Sequence, residues 1–321
     1  MKFGLAAPHR GPLASPEALR TIAARAEQLG YAYLSVSDHI VIPRVVDHQY
    51  PYAEDGDFTA SQQGRADTME QLTLLGWLAA VTSRIRLLTS VTVIPHRNPL
   101  FMAKSLATTD QLSAGRVIVG CGAGWMREEF EALNLPDFDA RGRVTNEYIE
   151  AMKEAWTGDA PKYDGEFVQF SNIDVKPAPI QRPHPPIWIG GESMPAIRRA
   201  VALGDAWYPF GSNPKFRMDC PETYIVRRNK LFAVAEAAGR DPMSLDLSYN
   251  CAFHNHVAQA GMDGQARQCF TGSPEQRAED VRAFAAAGVR NMMVNVTAME
   301  LPAMLERMHE FAENVMPLVE S

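Results

Sequence analysis

The sequence is poor in everything that would carry a chain out of the cytoplasm or onto a polyanion. Its four cysteines, Cys121, Cys220, Cys251 and Cys269, show no CxxC spacing, which speaks for reduced thiols and against a disulfide framework or a zinc site. No stretch approaches the roughly 18 uninterrupted apolar residues of a membrane helix. Met1-Lys2-Phe3-Gly4-Leu5 runs straight into a strand-like segment, so neither anchoring nor export is expected and the cytoplasm is the expected location. A basic surplus is missing too. The 31 Lys and Arg face 38 Asp and Glu, a formal net charge of −7, which argues against nucleic acid or a membrane surface as a general partner. Neither a GxSxG nucleophile elbow nor a P-loop pattern occurs, which lowers acyl transfer and P-loop hydrolysis as functions.

What the chain does have is a repeated grammar of strand and helix. Lys2 to Pro8 reads as a buried strand, and Pro16 to Leu29 as its helix, with Ser15 as N-cap, Pro16 in the first helical position and Gly30 as the stop. Further strands are expected at Tyr31 to His39, Ile85 to Ile94, Arg116 to Gly120, Ile187 to Ile189, Ala206 to Phe210, Leu245 to Phe253 and Asn291 to Val296. Helices are expected between and after them, including Met69 to Val81, Pro99 to Leu112, Trp125 to Leu133 and Arg143 to Trp156. Eight such units point to an α/β fold, a TIM-like (β/α)8 barrel filling one domain over residues 1–321. An open doubly wound sheet is the alternative, but its glycine fingerprint would follow the first strand, where Ala7-Pro8-His9-Arg10-Gly11 lacks it. Two insertions are expected. Residues 40–67, after the second strand, carry no periodic pattern and read as a lid. Residues 159–186, after the fourth unit, hold a hairpin around Asp164-Gly165 and a proline-rich connector.

In a barrel, chemistry belongs at the C-terminal ends of the strands. There the fourth strand ends in Gly120-Cys121-Gly122-Ala123-Gly124 and the fifth in Gly190-Gly191-Glu192-Ser193. Both are followed by helices, an arrangement that brings backbone amides and a helix dipole to an anion. The bland reading is that these glycines permit tight packing. Glu192 would oppose an anion unless turned aside. Ser37-Asp38-His39 closes the second strand, and His39 is the acid/base candidate. Ser90 and Thr92 alternate at the end of the third, either facing a ligand or packing in a layer. The rival signal is His254-Asn255-His256, which on a strand would place two imidazoles on one face for a metal-dependent hydrolase. No convincing further ligands accompany it, so no metal is expected.

With these residues in view, the chain resembles the luciferase-like monooxygenase superfamily, and within it the probable F420-dependent oxidoreductases. The likeness is carried by Ser37-Asp38-His39-Ile40, Thr89-Ser90-Val91, Arg97-Asn98-Pro99, Leu112-Ser113-Ala114-Gly115-Arg116, Gly120 to Phe130, and Arg182 to Gly191. The resemblance implies a deazaflavin (F420) or flavin (FMN) ring at the barrel mouth. It implies that Gly122, Ala123 and Gly124 with Gly190, Gly191, Glu192 and Ser193 hold the phosphate of the cofactor's ribityl chain. A non-prolyl cis peptide at Ser90-Val91 would back the ring, Asp38 and His39 would lie near ring and substrate, and Glu128 would serve as a cofactor contact. One departure is that Trp125 stands where some F420 enzymes carry a glutamate proton donor, which leaves His39 for proton transfer. The implied activity is hydride transfer between F420 and a small organic substrate. The alternative is an FMN-dependent monooxygenase fed by a separate reductase. A homodimer is the implied assembly.

Overall fold

Eight short, largely buried and nearly uncharged segments pair in parallel and close on themselves. In the computed structural model, which describes residues 1–58, 68–261 and 266–320, the barrel strands are β1 (Lys2–Ala6), β2 (Tyr33–Val36), β3 (Arg86–Thr89), β4 (Val117–Gly122), β5 (Ile187–Gly190), β6 (Ala206–Tyr208), β7 (Asp246–Asn250) and β8 (Asn291–Val294). Each pairs with the next, and β8 returns to β1 with Lys2 opposite Asn291 and Leu5 opposite Val294. Around them run α1 (Pro16–Gln28), α2 (Gln71–Val81), α3 (Pro99–Leu112), α4 (Arg127–Ala132), α5 (Arg141–Thr157), α6 (Met194–Leu203), α7 (Pro221–Ala237), α8 (Pro274–Ala286) and α9 (Leu301–Glu310). Local chemistry sets the helix ends as the sequence predicts. Ser15 accepts from Ala18 N at 3.2 Å ahead of Pro16, and Gly30 takes a φ of +79°, where a side chain would be strained.

Strand alternation builds two separate apolar layers. Leu34 and Val36, Val117, Val119 and Cys121, and Ile187 and Ile189 face the helices and join the main core. Tyr33, Leu88, Ile118, Trp188, Tyr208 and Met293 face inward and fill the lumen. Along several strands the inward side chain shrinks toward the C-terminal end: Tyr33 gives way to Ser35, Ile118 to Gly120 and Gly122, and Trp188 to Gly190. The lumen is therefore plugged below and open above, which is how a barrel acquires a cavity at one mouth.

Several expected elements are shorter than their sequence patterns. The second strand stops at Val36, so Ser37-Asp38-His39 lies in the loop beyond it. The third is interrupted at Ser90-Val91, whose peptide bond is cis, and resumes as Thr92–Val93 paired with Cys121 and Gly122. Ser90 and Thr92 consequently part company: Ser90 faces the barrel mouth, while buried Thr92 donates to Gln71 Oε1 at 2.7 Å. Helix α4 starts at Arg127, leaving Trp125 in the turn before it. The hairpin in 159–186 is present as Tyr163–Asp164 against Gln169–Phe170. Arg116, part of the family-like run, serves the opposite end of the barrel. Its buried guanidinium donates to the carbonyls of Ala79, Thr82, Ile85 and Ser113.

Candidate active site

The open mouth encloses a cavity of about 1160 Å³. Asp38, His39, Ser90, Val91, Gly122, Ala123, Gly124, Gly190, Gly191, Glu192 and Ser193 all line it. Glu128 does not. Its carboxylate accepts instead from the backbone N–H groups of Asp47 (2.8 Å) and His48 (3.0 Å), pinning the loop after β2 from outside.

Because β2 has ended before them, Asp38 and His39 point to different partners. Asp38 is buried and holds Arg97 bidentately at 2.7 and 2.8 Å while accepting from Val93 N at 2.9 Å. Glu70 binds the same guanidinium at 2.7 Å, and the two carboxylates hold Arg97 well above its ordinary range despite its burial. Asp38 is thus the bolt between the loops after β2 and β3. His39 donates from Nδ1 to Glu129 Oε2 at 2.8 Å, which fixes the tautomer and leaves Nε2 as the ring's acceptor nitrogen. Glu129, only 1% exposed in its side chain, also accepts from Ile40 N (2.8 Å) and Val41 N (3.2 Å). Burial works to raise its pKa, but the hydrogen bond and charge of His39 outweigh it and hold the carboxyl below the usual range. The opposite oxygen of Glu129 lies 3.8 Å from Nδ1 of buried His96. Across the mouth, His9 Nε2 meets the Ser37 hydroxyl at 2.8 Å. Burial and neighbouring Arg10 push the pKa of His9 down to about 4, so this ring is neutral near pH 7 and accepts from the serine.

The glycine loops serve two purposes. A Cβ on Gly120 would sit 2.0 Å from Thr89 O, and one on Gly122 would sit 2.6 Å from Val91 Cγ2, so these two residues admit the irregular segment beside them. Gly124 and Gly191, at φ +83° and +103°, supply the turns that lead into α4 and α6. Trp207 Nε1 donates to Gly191 O at 3.0 Å and steadies the second turn. Ser193 caps α6, accepting from Ala196 N. Glu192 is turned aside from any anion at this turn. Its carboxylate accepts from Phe210 N (2.8 Å) and Asn213 Nδ2 (2.9 Å), and burial raises its pKa. Two arginines complete this end. Arg141 donates to Gly124 O at 3.2 Å and stacks on Phe138, and buried Arg199 donates to Asn146 and to Gly142 O.

Aromatic rings form the other end. Tyr50 and Phe58 from the loop after β2 meet Trp125 at 5.2 and 5.0 Å between centroids, and Phe58 lies 5.6 Å from the His39 ring. The described part of the expected lid therefore folds into the mouth; residues 59–67 lie outside the described residues.

Sequence reasoning missed Glu129, Arg141 and Arg199. Glu128 and Glu129 share the first turn of α4, and only the register of that turn tells which one faces inward. Arg199 had a readable signal, since it lies on the inner face of the helix launched by the second glycine turn. The metal reading fares differently. His254 Nε2 meets the Arg277 guanidinium at 2.8 Å, a cationic neighbour that opposes a metal ion, and no cluster of three or more candidate ligands occurs among the described residues. Among the same residues, no helix is long and apolar enough to cross a membrane.

Comparison with known proteins agrees with the barrel fold. The family model for luciferase-like monooxygenases matches residues 1–260. An uncharacterized protein of Mycobacterium tuberculosis is 40% identical over 261 residues, 81% of this chain and 88% of the relative. The FMNH2-dependent dimethylsulfone monooxygenase of Pseudomonas putida is 37% identical over 153 residues, 47% of this chain and 41% of that enzyme. Among solved structures, an F420-dependent secondary alcohol dehydrogenase superposes with a TM-score of 0.74 at 19% identity, covering 100% of this chain and 99% of the other. The monooxygenase RslO1 of Streptomyces bottropensis superposes at 0.72 with 22% identity, covering 99% of both chains. At these identities the superpositions speak for the fold alone.

Proposed function

Because the chain belongs to the luciferase-like monooxygenase family, we propose that it is an F420-dependent oxidoreductase that moves a hydride to or from a small organic substrate, with His39 as its acid/base group. The observation that carries this reading is the convergence on one cavity of two glycine turns flanked by arginines and a histidine fixed by a buried carboxylate. Such a set fits a ligand with a phosphate at one end and a proton-coupled reaction at the other. Gly122, Ala123, Gly124, Gly190, Gly191 and Ser193, with Arg141 and Arg199, would hold the phosphate, and Ser90 and Val91 would back the ring. Glu192 and Asp38 would act by fixing the loops around it, and Glu128 by fastening the lid. A bound deazaflavin supplies a two-electron hydride donor or acceptor. The protein's own task is then to exclude water with the loop after β2 and to take or give a proton at His39 Nε2. Glu129 keeps the imidazole in the tautomer that task needs.

A second reading has one observation in its favour, the 37% identity to an FMNH2-dependent monooxygenase. In that case reduced FMN would come from a separate reductase. We take the protein to act in the cytoplasm as a homodimer, a mass that light scattering on the purified protein reads directly. The deciding experiment is a fluorescence-quench titration of the protein with F420 and, in parallel, with oxidised and reduced FMN. Micromolar or tighter F420 binding with weak FMN binding is expected. Preference for FMN would move the reaction class to oxygenation, and binding of neither would sink both readings.

A further inference from the structure

Resting on the reading of the cavity as a redox site, the aromatic end indicates what kind of substrate it takes. From His39 the rings follow one another: Phe58 lies 5.6 Å from the imidazole, Trp125 5.0 Å from Phe58, and Tyr50 5.2 Å from Trp125 and 5.4 Å from Phe58. Tyr52 and Phe210, 5.0 Å apart, continue the wall. All of them line the cavity. Tyr50, Tyr52 and Trp125 are only partly buried, so their packing against one another leaves ring surface turned to the space inside. Edge-to-face and stacked contacts with such surfaces favour an aromatic ligand beyond the area they bury.

Charge around this wall is already balanced. Glu129 is bonded to His39 and two amides, and Glu192 to Phe210 N and Asn213. Arg10 lies beside Tyr50 and has a partner of its own. The arginines Arg141 and Arg199 belong to the glycine end. A ligand carboxylate lodged against the rings would therefore lie near Glu129 and Glu192 without an unengaged cation among the described lining residues. A ligand ammonium would find those carboxylates occupied. Burying either charge unpaired is costly.

We propose that the substrate is an uncharged, ring-bearing alcohol or carbonyl compound, with its ring held against Tyr50, Tyr52 and Trp125 and its oxygen directed to His39. The test uses the intact protein and three probes, benzyl alcohol, benzoate and propan-2-ol, with dissociation constants from ligand-observed NMR. Benzyl alcohol is expected to bind at least about tenfold more tightly than either of the others. Trp125→Leu should weaken benzyl alcohol by about fivefold or more, Trp125→Phe should restore most of that loss, and F420 affinity should change little in either variant. Benzoate binding as tightly as benzyl alcohol would overturn the proposal, as would propan-2-ol binding as tightly. So would a Trp125→Leu protein of unchanged melting temperature that holds benzyl alcohol as well as the parent. The wild-type comparison of probes needs no variant to fold. Binding is read without turnover, so benzyl alcohol selectivity in a protein that takes neither F420 nor FMN would support this substrate class while removing the redox reading.

Discussion

The two ends of the cavity are built from opposite materials. The glycine end is backbone: turns leaving β4 and β5, whose positions are set by barrel pairing, by Gly120, Gly122 and Gly124, where a Cβ would clash, and by Gly191, whose φ of +103° strains any side chain. The aromatic end is side chain, carried largely by a loop fastened through Glu128, Glu129 and an ion pair between Glu54 and Arg217. A rigid frame suits a ligand part that never changes, and a loop suits the part that sets specificity. His39 stands where the two meet, borne by the loop but locked to helix α4.

That junction gives the largest expected effect. His39→Asn should lower turnover by about 10²–10⁴-fold while F420 affinity stays within a fewfold of the parent; unchanged turnover would remove His39 from catalysis. Next comes Glu129→Gln, which keeps the shape but removes the charge that accepts from Nδ1. Losing a charged hydrogen bond of about 1.5–3 kcal/mol should reduce kcat by roughly 10–100-fold with little change in KM.

The claim that Gly122 makes room for Val91 predicts that Gly122→Ala costs about 2 kcal/mol of stability, read by denaturant melts. The double variant Gly122→Ala with Val91→Ala should recover most of it, since it deletes the Cγ2 that the new Cβ meets. If the double variant is no better, the glycine serves something other than packing. At the same end, Arg141→Ala should weaken F420 by about tenfold, near 1.4 kcal/mol, and leave benzyl alcohol binding untouched.

The smallest effect concerns His9. Its folded pKa of about 4 lies below the ordinary value of 6.5, so between those values the unfolded chain binds more protons and stability falls as pH drops. From pH 7.5 to 5.5 this contributes a loss of about 1 kcal/mol. In His9→Gln that part of the pH dependence should vanish, as melting temperatures at the two pH values would show.

The frame was legible in the sequence because its signals are local. Ser15-Pro16 announces a helix start that the structure confirms with a side-chain cap. Glycines after the fourth and fifth strands announced the mouth. Strand ends were less legible, because no glycine or proline marks a stop before Ser37-Asp38-His39 or Ser90-Val91, whereas tertiary partners, Arg97 for Asp38 and Tyr208 for Ser90, hold them off the ladder. Partnerships across the sequence were not legible at all. Nothing near position 129 says that its carboxylate will meet a histidine ninety residues earlier, and neighbouring Glu128 looks the same on paper.

The measurement that tests the account most directly is a crystal structure of the protein with F420 bound. The account predicts the phosphate at the Gly122–Gly124 and Gly190–Ser193 turns beside Arg141, the ring against Ser90-Val91, and the redox edge facing His39 with the aromatic wall free. A cofactor ring lodged among Tyr50, Phe58 and Trp125, with the glycine turns empty, would contradict it.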